Sequence, residues 1–274
     1  MQIGITGANG YLGSKLFTYL TSQGIACVRL IRKPRTSYER KFVLGELPDD
    51  NLFVGIDCLI HAAYDFSQKS SHASKLVNID GSRLLFQAAR ANSVNLIIFI
   101  SSMSSFPGCK SIYGQSKLQI EQDLIARGGK NIILRPGLIY GPQLGGIVAK
   151  LSAIARKPLL PIINSSAKLY FCNYTDLAQL IKDLLSAPHT IYNTPLIAAN
   201  ATGYTLRQIL VKLGATRLIP LPWQLIWLLL KVIEGGGITL RTGSDNLISL
   251  VNQNPNPDFT PLIKLGFNFQ EFEV

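Results

Sequence analysis

Tyr113 and Lys117 stand four residues apart in Tyr-Gly-Gln-Ser-Lys, so on a helix they share a face, one above the other. A phenol at its ordinary pKa of about 10 is a poor base at neutral pH. An ammonium one turn away favours the phenolate and is expected to pull that value down toward neutrality. Ser102 follows an unbroken apolar run ending at Ile100 and would hydrogen-bond the same substrate oxygen. Together the three side chains can move a proton at a carbinol or carbonyl while a nicotinamide moves the hydride. The pair alone is not specific, because a surface Tyr and Lys meet on many amphipathic helices.

The element that would bring a nicotinamide to this trio is the amino end, MQIGITGANGYLG. Gln2 to Thr6 reads as a buried strand. Gly7, Gly10 and Gly13 follow at G-x-x-G-x-x-G spacing, and an apolar-periodic segment with Tyr11, Leu12, Leu16, Phe17 and Leu20 follows them. Strand, glycine turn and helix open a nucleotide-binding βαβ unit. Gly7 makes the tight turn, Gly10 admits the pyrophosphate, and Gly13 lets helix and strand pack closely. The free N–H groups and the dipole of the helix then face phosphate. Asn9 stands within the same turn.

Further strands are expected at 25–31, 42–44, 58–63, 96–100, 131–134, 170–174 and, as a last sheet strand, 191–193. Helices are expected at 74–91, 113–126, 147–156, 176–185, 206–213 and 223–233. The unbroken apolar run Leu-Ile-Ile-Phe-Ile at 96–100 is the kind a parallel sheet requires. Arg32 and Lys33, with Arg35 close behind, end the second strand where an acidic residue would bond the ribose hydroxyls of NAD. Basic residues there suit the 2′-phosphate of NADP, which is therefore favoured over NAD. Ala62 and Ala63 lack bulk and would leave room for the cofactor. His61 sits inside an apolar strand, where a lone histidine is more often a satisfied core residue than a catalyst. The architecture expected is α/β, a Rossmann-type doubly wound parallel sheet over residues 1–142, with 175–196 returning to it. A small, mainly substrate-binding lobe takes up 143–274.

The 274 residues suffice for a full core, and 47% hydrophobic against 16% charged residues is a globular composition. A net charge of +11 favours an anionic ligand. The basic residues are scattered and no nucleic-acid-reading motif is present, so nucleic acid is not expected as a partner. The four cysteines have no C-x-x-C pairing or metal spacing. No signal peptide precedes the first strand, and a reducing cytoplasm is the expected compartment. The apolar stretch from Leu218 to Ile233 is too short and interrupted for a membrane span.

In this order, TGANGYLG, HAA, NIDG, SSMSS, YGQSK and LRPGLIYGP resemble the extended short-chain dehydrogenases/reductases, in the epimerase/dehydratase branch that acts on sugar nucleotides. The likeness covers roughly residues 1–200, with six motifs in one register. It implies a catalytic set of Ser102, Tyr113 and Lys117 with Asn78 in support, Lys117 also on the nicotinamide ribose, and Pro136 and Gly137 beside the nicotinamide. It implies a nucleotide sugar as substrate, with Met103, Ser104 and Arg241 as candidate contacts, and a homodimer paired through the helices flanking the site. Three departures stand out. Only ten residues separate Ser102 from Tyr113, so the loop framing the substrate is short. Met103 replaces the Asp-Glu pair that eliminates water in 4,6-dehydratases, which disfavours dehydration. The carboxyl lobe is short; Arg207, Arg217 and Arg241 could clamp a diphosphate there, although a surface charge is the commoner role for each. Two other classes compete with an enzyme: a non-catalytic NADP-binding sensor or assembly protein, and a peripheral membrane protein using the Trp223/Trp227 segment. For that segment a place in the core is the commoner outcome.

Overall fold

The computed structural model describes residues 1–67, 70–142, 145–186, 191–236 and 243–273. In chain order the elements are β1 (Gln2–Thr6), α1 (Tyr11–Ser22), β2 (Ala26–Ile31), β3 (Glu39–Lys41), β4 (Cys58–His61), α2 (Ser71–Ser74), a π-helical turn (Lys75–Asp80), α3 (Gly81–Ala91), β5 (Leu96–Ile100) and α4 (Ile112–Ala126). They continue as β6 (Lys130–Pro136), β7 (Leu138–Tyr140), α5 (Gly146–Ala155), β8 (Leu160–Asn164), β9 (Phe171–Asn173), α6 (Tyr174–Ser186), β10 (Pro195–Ala198), α7 (Leu206–Lys212), β11 (Leu218–Pro222), α8 (Trp223–Gly235), α9 (Ser244–Val251) and α10 (Thr260–Lys264).

Seven parallel strands form the main sheet in the order β3-β2-β1-β4-β5-β6-β10. The order reverses between β1 and β4, and open α/β sheets bind ligands at the carboxyl ends of strands at such a switch point. Side chains alternate across the sheet. Ile98 and Ile100 of β5 face Leu16, Leu20, Leu177 and Ile181 of α1 and α6, while Ile97 and Phe99 face Leu85, Phe86, Ile120 and Leu124 of α3 and α4. A third apolar cluster, with Val148, Leu151, Ile162, Phe171, Ile209 and Phe272, holds the smaller lobe together.

Several elements differ from the sequence reading. The third strand is Glu39–Lys41, three residues before Phe42–Leu44, because it is an edge strand whose pairing with β2 needs backbone only. Phe42 is buried just after it, its amide bonded to the Ile31 carbonyl. The last sheet strand is Pro195–Ala198, not 191–193. Asn193 adopts φ 61° in the left-handed region and turns the chain before β10 begins. Helix 74–91 is interrupted by the π-helical turn, and Leu76 is exposed rather than packed. The smaller lobe contains a parallel pair, β8 and β11, whose prolines Pro161, Pro220 and Pro222 hid it from periodicity. Leu262 of α10 and Phe269 join the main-sheet core instead of the smaller lobe.

Candidate active site

The first turn is shaped by close backbone contact. Gly7 has φ +68°, and a Cβ there would sit 2.9 Å from the Ala63 amide nitrogen; one on Gly13 would sit 2.3 Å from the Gly7 carbonyl oxygen. The Gly10 amide donates to the same carbonyl at 2.8 Å. Any larger side chain would push α1 off β1, so the turn keeps the helix N-terminus beside the strand end, as a phosphate cradle requires. Thr6 braces the opposite wall: its Oγ1 accepts from the amides of Ala62 and Ala63 at 3.2 Å each.

With two amides on its lone pairs, Thr6 Oγ1 turns its own hydrogen to His61 Nδ1, 2.8 Å away. His61 Nε2 then donates to Ser82 Oγ at 2.9 Å, and Ser82 donates to the Asn78 carbonyl at 2.6 Å. His61 is fully buried with both nitrogens satisfied. Its pKa falls to about 3, chiefly by desolvation and secondarily through the Lys117 charge. The ring is therefore neutral scaffold beneath the cleft.

One continuous cleft of about 2520 Å³ contains Gly7, Asn9, Gly10, Tyr11, Leu12, Gly13, Arg32, Lys33, Ala62, Ala63, Ser102, Ser104, Tyr113, Lys117, Pro136 and Gly137 among its lining residues. That volume exceeds the 300–1,000 Å³ or so of a typical small-ligand pocket and accommodates a dinucleotide beside a second ligand. The glycine cradle and the small Ala62-Ala63 wall fit a nicotinamide dinucleotide: α1 would hold its phosphates, and Arg32 and Lys33 would meet its adenosine end. Arg32 also lies 3.8 Å from Asp65.

Ser111 caps α4, accepting from the Gly114 amide at 3.0 Å. Gly114 lets that helix touch the preceding loop, since a Cβ there would stand 2.3 Å from the Ser104 carbonyl. Tyr113 thus lines the cleft together with Ser102, which lies close enough to influence its hydroxyl. Burial pushes its pKa up to about 12, more than Ser102 draws it down. Lys117 lies behind, nearly inaccessible, with Nζ donating to the Ile100 carbonyl at 2.7 Å and stacked 4.6 Å from the Phe99 ring centre. Desolvation lowers its pKa to about 7. The expected depression of the phenol by an ammonium is absent here. Burial penalises both charged forms, so the two groups move toward mutual neutrality.

Three further residues expected at the site lie elsewhere or outside the described residues. Asn78 is fully buried and does not line the cleft; its Oδ1 accepts from the Asp65 amide at 2.7 Å and its Nδ2 donates to the Asp65 carbonyl at 3.1 Å. It positions the loop after β4 and does not touch the reacting centre. Met103 points into the main core rather than at a ligand, its amide donating to the Pro136 carbonyl at 3.0 Å. Arg241 lies outside the described residues. Arg207 and Arg217 are exposed and away from the cleft.

The sequence reading missed two groups. Tyr64 and Phe66 enclose the Tyr113 ring at centroid distances of 4.9 and 5.4 Å; an aromatic pair directly after His-Ala-Ala was the available signal. Asp245, on α9, accepts from the backbone amides of Ile112 at 2.6 Å and Tyr113 at 3.5 Å. Its carboxylate complements the dipole of α4, and nothing local in sequence connects residues so far apart.

A family model described as the NAD dependent epimerase/dehydratase family matches residues 3–197. A protein of Caulobacter vibrioides named ceramide reductase is 28% identical over 234 residues, which cover 80% of this chain and 73% of that protein. An uncharacterized protein of Mycobacterium tuberculosis is 26% identical over 78% of this chain, but the match spans only 23% of that longer protein. Among solved structures, the UDP-glucose 4-epimerase of Thermotoga maritima with UDP-glucose superposes with TM-score 0.65 at 18% identity, over 92% of this chain and 97% of that one. The Thermus thermophilus UDP-glucose 4-epimerase in complex with NAD gives the same TM-score, identity and coverage. At that identity the likeness is one of fold.

Proposed function

The chain belongs to the NAD-dependent epimerase/dehydratase family, and we propose that it interconverts a secondary alcohol and a ketone with Tyr113 as proton donor and acceptor. The observation carrying this reading is that Ser102, Tyr113 and Lys117 line one cleft together with the glycine turn. The nicotinamide cofactor, when bound, supplies or accepts the hydride. Ser102 and Tyr113 share the substrate oxygen, and a phenol near pKa 12 is protonated at neutral pH, ready to donate to an oxygen gaining negative charge. Lys117, poised near pKa 7, takes up a proton as anionic groups enter, and its field then eases loss of the phenolic proton.

NADP is favoured over NAD, because Arg32, Lys33 and Arg35 line the cleft at the end of β2. NADPH should bind about tenfold or more tighter than NADH, and Arg32→Ala should erase most of that difference in a fluorescence titration. Equal affinities in the unmodified protein would refute the NADP reading.

Beyond the reacting oxygen the cleft has an apolar strip formed by Ile112, Leu151, Ile154, Trp227, Ile248 and Leu250. This strip and the kinship with a protein named ceramide reductase support an amphipathic, chain-bearing ketone as substrate. A nucleotide-linked sugar is the second reading. It is favoured by Lys110 and Lys150, which bring cations into the same cleft for a diphosphate, and by relatives solved with UDP-sugars. A screen of long-chain ketones against nucleotide sugars, followed by NADPH fluorescence, separates them. Tyr113→Phe should retain NADPH binding and lose turnover by about 100-fold or more; full activity in that variant would end the assignment.

A further inference from the structure

α8 breaks the usual rule for a surface helix. None of its residues is buried, and the face turned to solvent is apolar: Leu225 is 65% exposed, Leu228 56%, Leu229 60% and Val232 66%. These positions repeat at i, i+3, i+4 and i+7, a single stripe. Trp227, Lys231 and Glu234 lie on the opposite side and line the cleft. The half-buried Trp223, Ile226, Trp227, Leu230 and Ile233 of the helix are apolar as well, so it carries more apolar surface than the fold covers. Exposed Ile219 and Leu221 of β11 lead directly into it.

Charge identifies what covers this face. Segments 145–175 and 191–274 build the lobe that carries α8, and together they contain ten Lys or Arg against five Asp or Glu. Arg156, Lys157, Lys212 and Arg217 among them are exposed. A second copy of so basic a lobe would be repelled, whereas an anionic surface is attracted. No helix of the described residues is long and apolar enough to cross a membrane. An apolar stripe on a short helix in a basic field is the pattern of a segment lying in the plane of a bilayer interface. We infer that α8 seats this protein reversibly on an anionic lipid bilayer, with Leu225, Leu228, Leu229 and Val232 among the acyl chains and the cleft mouth at headgroup level. Glu234 fixes the helix to the site, accepting from the Ser244 amide at 2.8 Å and hydroxyl at 2.6 Å at the start of α9.

The test is flotation of the full chain with vesicles of phosphatidylcholine alone or mixed equally with phosphatidylglycerol. It needs no turnover, so its result is independent of the proposed reaction. The protein should float with the anionic vesicles, less so at high salt, and weakly or not at all with phosphatidylcholine. Trp223 and Trp227 are the two tryptophans of the chain and both lie on α8, so their emission should shift to the blue on binding. Leu228→Gln with Leu229→Gln should weaken vesicle binding about tenfold or more while leaving thermal unfolding unchanged. Arg156→Glu with Lys157→Glu, far from the stripe in sequence, should weaken it as well. Failure to float with anionic vesicles overturns the inference. So does flotation indifferent to both variant pairs, or a dimer in solution that the leucine substitutions dissolve.

Discussion

A phenol and an amine one helical turn apart are expected to share a proton economy in which the ammonium drives the phenol acidic. Burial reverses that order at Tyr113 and Lys117, because the desolvation of two charges outweighs their mutual attraction until a counter-charge enters the cleft. The same physics makes His61 an acid-sensitive point. Folded, it stays neutral down to about pH 3; unfolded, it takes a proton near 6.5. Between those values the unfolded chain binds more protons, so stability is full above pH 6.5 and is lost as pH falls toward 3. Melting temperatures of wild type and His61→Gln across this window should show a flatter acid limb in the variant. At neutral pH the variant should itself be less stable, by about 1–3 kcal/mol, because Thr6 and Ser82 lose their partner. An acid limb of equal slope in both proteins would contradict this account.

At the scale of elements, the glycine turn is the least tolerant piece of the fold. Gly13→Ala places a methyl 2.3 Å from the Gly7 carbonyl oxygen, a backbone atom that cannot swing aside. NADPH affinity should fall about tenfold or more, with a lower melting temperature, since α1 must move away from β1 to relieve the clash. Gly10→Ala, at 3.1 Å from the same atom, should be the milder change. Elements buried on both faces, such as β5, declare themselves as apolar runs. Edge elements do not: β3 is Glu-Arg-Lys, and β8 and β11 carry prolines, because a strand with one free edge needs no apolar alternation. Likewise the π-helical turn that aims Asn78 at the Asp65 backbone has no signature in a helical period.

For the molecule as a whole, the carboxyl-terminal lobe completes the site rather than merely covering it. Asp245 caps α4, Ser249 meets Ser104 across 3.2 Å, and Asn252 accepts from the Lys110 amide at 3.0 Å. Asp245→Ala should lower stability by about 1–2 kcal/mol. It should also raise KM more than it lowers kcat, because α9 would no longer be pinned to α4; an unchanged KM would show that the lobe docks without this carboxylate. The sequence alone determined the doubly wound sheet and the glycine turn, and it picked out the basic end of β2 and the Tyr113, Lys117 and Ser102 that line one cleft. Each is written in local spacing: apolar runs, glycines three apart and side chains one turn apart. Only the tertiary structure decided the rest. Desolvation, which no spacing encodes, fixed the protonation of the buried pair and of His61. Long-range packing brought Asp245 to α4, sent Met103 into the core, and left the apolar stripe of α8 outside it, where sequence pattern alone had pointed inward.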